Sequence, residues 1–202
     1  MNQREQAKVA KEFADSWNGK GDEKQDTQRF WIELLHKVFG VEDATNFLKF
    51  ETRVKLTNQS YIDVMIPATH TMIEQKSLGK DLNAPVLQSD GSKLTPFEQA
   101  KRYAASLPYS ERPRWIVACN FAEFQVFNME RPNDAPQVIK LADLPTEYYR
   151  LGFMVNEKDE RIERELTVSK DAGEIVARIY KAVLPAYDAN DEAALQIGRA
   201  HV

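Results

Sequence analysis

Residues 4–17 place Ala7, Val9, Ala10, Phe13, Ala14 and Trp17 at near-helical spacing, and Asn18-Gly19-Lys20-Gly21 ends the pattern, which predicts a helix. A second helix follows. Asp26-Thr27 can cap it, Phe30, Trp31, Leu34, Leu35 and Val38 form a stripe at three- and four-residue steps, and Phe39-Gly40 supplies a terminal glycine. From Phe47 the period falls to two. Over residues 47–56, Leu48, Phe50, Thr52, Val54 and Leu56 alternate with Lys49, Glu51, Arg53 and Lys55, as a half-buried strand requires. Further strands are expected at 60–66 and 71–77 around a turn containing Pro67. A long polar loop then spans 79–94, Thr95-Pro96 opens a helix reaching Leu107, and two strands cover 115–119 and 123–128. The order αβββαββ predicts an α+β fold, a central mixed β-sheet flanked by helices. Beyond Pro145 the text turns charge-rich at 157–161. Ile175, Val176, Ile179, Tyr180 and Val183 then mark a helix over 172–184 that reads as the opening of a separate helical unit.

The 202 residues, 43% of them hydrophobic and 29% charged, fit one globular domain and the start of another, and exclude a fully disordered chain. No apolar run approaches the roughly 18 residues of a membrane span, and the N-terminus has no signal-peptide stretch, so a cytoplasmic protein is expected. One cysteine, Cys119, excludes an internal disulfide, and His36, His70 and His201 are too scattered for a Cys/His zinc cluster. The net charge of −4 is an average. Residues 46–121 hold 10 Lys+Arg against 7 Asp+Glu, while both flanking segments are acidic, so the middle is locally basic.

That basic middle contains Asp63 and, eleven residues on, Glu74-Gln75-Lys76. In a simple hairpin centred between Ala68 and Thr69, opposed residue numbers add to 137, so Asp63 faces Glu74 and Val64 faces Ile73. Ile62, Val64, Ile66 and Ile73 then occupy the buried face, and Asp63, Glu74 and Lys76 share the other. Two carboxylates roughly 5 Å apart repel unless a cation lies between them, and Mg²⁺, which takes oxygen ligands and keeps waters, is the expected occupant. The pattern points to phosphodiester hydrolysis, with metal polarisation of the phosphoryl oxygen and the Lys76 ammonium orienting water or stabilising charge. Lys49, Arg53 and Lys55 are either a solvated strand face or contacts to DNA phosphates. Gln99 and Tyr103 project together, either within an amphipathic helix that packs Phe97, Ala100, Tyr103 and Leu107 on the sheet or as hydrogen-bonding groups toward the metal site or a DNA phosphate. His36 and His70 read as structural, and Cys119, Trp17, Trp31 and Trp115 as core.

These residues resemble the PD-(D/E)xK nuclease core, and Gln99-x-x-x-Tyr103 is similar to an element of some branches of that superfamily. More narrowly, Phe30-Trp31-Ile32-Glu33-Leu34-Leu35, Tyr61-Ile62-Asp63-Val64, residues 73–82 and Arg112-Pro113-Arg114-Trp115-Ile116-Val117 resemble the N-terminal nuclease domain of MmeI-like type IIL restriction-modification enzymes. The resemblance covers roughly residues 25–130. It implies a restriction-endonuclease-like core, Asp63, Glu74 and Lys76 as the catalytic triplet with Asp63 and Glu74 on Mg²⁺, and supporting roles for Gln75, Gln99 and Tyr103. It further implies double-stranded DNA as partner, with Lys49, Arg53, Lys55 and Lys80 as candidate phosphate contacts, and it allows transient dimerisation for cleavage. In such enzymes a helical connector, an adenine-N6 methyltransferase using S-adenosylmethionine and a target-recognition domain follow the nuclease. Here neither a glycine-rich cofactor loop nor an Asn-Pro-Pro-Tyr motif is present, so S-adenosylmethionine belongs to the absent methyltransferase domain. Ile62 stands where a proline often precedes the first acidic residue. The implied organisation is an N-terminal helix at 1–24, the nuclease domain at 25–145, a truncated connector at 155–196 and a non-native tail at 197–202. Two other readings use the same residues: an inactive DNA-binding or interaction module with the nuclease fold, and a DNA-repair-type nuclease.

Overall fold

The computed structural model of the chain describes residues 2–55, 59–88, 90–156 and 172–182, which divide between two compact units, Met1–Glu157 and Lys158–Val202. In the second unit residues 172–182 are helical, with Ile175, Val176 and Ile179 about half exposed. Leu56, the charged run at 157–161, Val183, the rest of the expected connector and the tail at 197–202 lie outside the described residues.

The first unit opens with α1 (Gln3–Trp17), started by a reciprocal capping box between Asn2 and Glu5. Helix α2 (Glu23–Glu33) is capped by Asp22, whose carboxylate accepts the Lys24 and Gln25 amides, rather than by the expected Asp26-Thr27. The chain turns earlier than the apolar stripe suggests because Gly21, at φ +137°, redirects it one residue before the cap. A π-helical turn, Leu34–Val38, prolongs α2, and Gly40 at φ +70° closes it. Phe47 belongs to a short helix, α3 (Ala44–Phe47), instead of the following strand.

Strands β1 (Lys49–Lys55), β2 (Gln59–Ile66) and β3 (Thr71–Gln75) form an antiparallel meander. The stretch read as a loop carries a small exposed hairpin, β4 (Val86–Leu87) and β5 (Lys93–Leu94), tied to the next helix where Arg102 pairs with Asp90 at 2.6 Å. Helix α4 (Pro96–Ser106) begins with a Thr95/Glu98 capping box and Pro96 in its first turn. It leads to β6 (Trp115–Cys119), parallel to β3, then to β7 (Glu123–Asn128) and an additional edge strand β8 (Gln137–Lys140). The result is one mixed sheet, β1-β2-β3-β6-β7-β8, with helices on both faces. Helix α5 (Leu144–Glu147) and the 3-10 turns after it add Leu144, Leu151 and Met154 to the core.

Two apolar layers hold the sheet. One joins α1, α2 and α5 to Val64, Ile66, Ile73, Val117 and Phe124, with Phe30 in edge contact with Trp17, Trp31 and Phe121. The other packs Ala100, Tyr103 and Ala104 of α4 on Val54, Ile62, Met65, Met72 and Ile116. Ile62 therefore lies opposite to the layer that receives Val64 and Ile66, against the expectation of one shared face. Both β1 and β2 change faces between residues 50 and 54 and between 62 and 64, where Glu51 adopts φ +49°. No described helix is long and apolar enough to cross a membrane.

Candidate active site

The β2–β3 ladder runs from Ile66↔Thr71 to Val64↔Ile73, the register read from the sequence, and stops there. Asp63 and Glu74 come next. Instead of closing another rung, the Gln75 backbone N–H donates to Asp63 Oδ2 at 2.7 Å, so a carboxylate replaces a strand carbonyl as acceptor. Glu74 pairs with Ala118 on the β6 side and is 1% exposed. Lys76 follows the end of β3, fixed by its own N–H donating to Cys119 O at 2.7 Å. Its ammonium donates to Glu74 Oε1 at 2.6 Å and lies 3.6 Å from Glu23 Oε1.

Glu23 was not among the candidates, since 53 positions separate it from Lys76 and no local pattern connects them. Three contacts bring it there. Gly21 O accepts the Leu78 amide at 2.9 Å, the Glu23 N–H donates to Ser77 Oγ at 3.1 Å, and Asp22 starts α2 at that point. The approach depends on glycine: a Cβ at Gly21 would lie 2.2 Å from the Phe121 ring.

Desolvation dominates the electrostatics. Burial raises the Asp63 pKa to about 6, against the lowering effects of Lys76 and the Gln75 amide. Burial, then the Asp63 charge, makes Glu74 easier to protonate than a free glutamate even within its contact to Lys76. For Lys76, burial pulls downward, but the carboxylates of Glu74, Asp63 and Glu23 together hold the ammonium well above the ordinary lysine range. Lys76 is thus held as a cation and donates a hydrogen bond to Glu74.

The other candidates are placed differently. Gln75 points to the opposite face, where its Oε1 accepts from Trp31 Nε1 at 2.8 Å and its Nε2 donates to Lys76 O, bracketing α2 to β3. Gln99 donates to the Tyr103 hydroxyl at 3.0 Å, and neither side chain has another hydrogen bond among the described residues. Lys49, Arg53 and Lys80 are exposed, the first two on β1, and Lys55 ends that strand.

Glu74 Oε2 is buried without any hydrogen-bond partner among the described residues, an arrangement that costs free energy unless a cation or donor completes it. Asp63 has one oxygen engaged by an amide and the other without a hydrogen bond. The pair suits a hard divalent cation that draws its remaining ligands from water and substrate. Among the described residues no three His, Cys, Asp or Glu side chains already converge as a metal-binding group.

A family model described as MmeI, N-terminal domain, matches residues 8–186. No curated protein and no solved structure matches the chain.

Proposed function

The chain belongs to the MmeI N-terminal domain family, and from that premise we propose that its first unit is the Mg²⁺-dependent endonuclease part of a restriction-modification enzyme, hydrolysing phosphodiester bonds of double-stranded DNA. The observation that carries this reading is the buried, unpartnered Oε2 of Glu74 beside Asp63 and Lys76. Asp63 and Glu74 are the residues that would hold the ion, which when bound supplies Lewis-acid polarisation of the phosphoryl oxygen and an acidified water. The chain's own groups do the rest. Lys76 keeps its proton on Nζ and presents it to charge developing on phosphorus, or orients the attacking water. Glu74 and Glu23 fix the ammonium, and the Gln75 amide fixes Asp63. Exposed Lys49, Arg53 and Lys80 favour a phosphate backbone approaching this end of the sheet. Target recognition and S-adenosylmethionine-dependent methylation are assigned to the rest of the enzyme, and cleavage is compatible with a transient dimer.

The test is plasmid cleavage by the complete enzyme carrying this chain, with Mg²⁺ or with chelator. Lys76→Ala is expected to lower the rate by about 10²-fold or more, the scale of losing one transition-state donor. Undiminished cutting by the variant overturns the assignment.

A further inference from the structure

Glu51, Asp63 and Glu74 stand in a row across β1, β2 and β3. The pairs Phe50↔Val64 and Thr52↔Ile62 set Glu51 opposite Asp63, and Val64↔Ile73 sets Asp63 opposite Glu74. At that level neither ladder closes a rung, although β1 and β2 pair on both sides of it. Glu51 also has φ +49° inside a strand, whereas His70 and Phe121, which share the left-handed region, lie at turns. Glutamate is a poor choice for bending a hairpin, because glycine reaches that conformation without steric cost. A strained carboxylate held here suggests that the carboxylate itself is needed. Two independent facts agree. Glu51 is exposed with no hydrogen-bond or ion-pair partner among the described residues, and the inner end of the row, Glu74 Oε2, is buried and unpartnered.

We propose that Glu51 is a further cation-holding residue of this centre, its carboxylate joining Asp63 on a divalent ion from the solvent side. The inference rests on the metal-dependent reading above and extends it from two carboxylates to three. Among the described residues the three carboxylates do not yet converge, so the exposed Glu51 side chain has to turn toward Asp63 when the ion binds.

Mn²⁺ titration of the 202-residue chain by calorimetry, with no DNA present, tests it. Glu51→Gln and Glu51→Gly are each expected to weaken Mn²⁺ binding about tenfold, a loss on the scale of removing a metal-orienting group. Glu51→Gly should also raise the thermal midpoint of the metal-free protein by relieving the backbone, a readout a purely structural glutamate would share, whereas the metal affinity would not move. Glu74→Gln serves as the reference. If it abolishes binding while both Glu51 variants bind within twofold of the parent, the Glu51 inference fails and the two-carboxylate centre stands. If the parent itself binds no Mn²⁺ at millimolar concentration, or binds it equally well as Glu74→Gln, both fall.

Discussion

Burial, the largest influence on Asp63, holds its carboxyl at about 6 in the folded protein, while the unfolded chain titrates near 3.8. The folded state therefore holds this proton more tightly. Below pH 3.8 both states are protonated and the stabilising contribution is complete; it is lost as pH rises through about 6. The difference corresponds to about 3 kcal/mol at 1.36 kcal/mol per pH unit. We expect the urea midpoint of the metal-free chain to fall across that window, and Asp63→Asn to remove this part of the fall while keeping an acceptor for the Gln75 amide. Glu74, raised in the same direction, extends the decline to higher pH, so the variant comparison isolates Asp63. Identical profiles for the parent and Asp63→Asn would show that Asp63 ionises as it does in water. A divalent ion, favouring the carboxylate form, should recover the lost stability above pH 6.

At the scale of elements, the site depends on how the start of α2 reaches the end of β3. Gly21 sits against Phe121, itself at φ +68° in the turn between β6 and β7, so this contact joins the α2 entry to the central strands. Gly21→Ala overpacks that contact and should cost about 2 kcal/mol. For a chain of this size that is a thermal midpoint about 4–8 °C lower, measurable by circular dichroism; an unchanged midpoint would mean that the Phe121 ring yields freely. The strand at 115–119 was legible as a short continuous apolar run, and the strand at 123–128, the hairpin register and the convergence of Asp63, Glu74 and Lys76 from period-two alternation and a short connection. What was not legible depends on the third dimension. The change of face at Glu51 and Asp63 needs a left-handed residue that no periodicity encodes. Strands β4, β5 and β8 are too short to show a period. Asp22 and Asp26 are both plausible caps until the turn at Gly21 chooses between them. Gln75, adjacent to the candidate carboxylates in sequence, is turned to the other layer by the same alternation that brings Glu74 and Lys76 together, and its engagement by Trp31 cannot be read from spacing alone.

Across the first unit, the parallel pair β3 and β6 lies in the middle of the sheet, with neighbours on both sides and helices over both faces. The carboxylates stand at the C-terminal end of β3, the end at which open α/β sheets commonly offer a ligand crevice. One residue of β6 connects this architecture to chemical labelling. Cys119 is the chain's single cysteine and is fully buried; burial pushes its thiol up to about 12, so almost no thiolate is present at neutral pH. Its carbonyl accepts the Lys76 amide. A thiol reagent can therefore react only after the apolar layer that covers the Cys119 side chain has opened, and the labelling rate becomes a clock for that opening. Labelling should be far slower than for a small free thiol and should accelerate with urea in parallel with global unfolding. Fast labelling under native conditions would reveal that this layer opens without global unfolding.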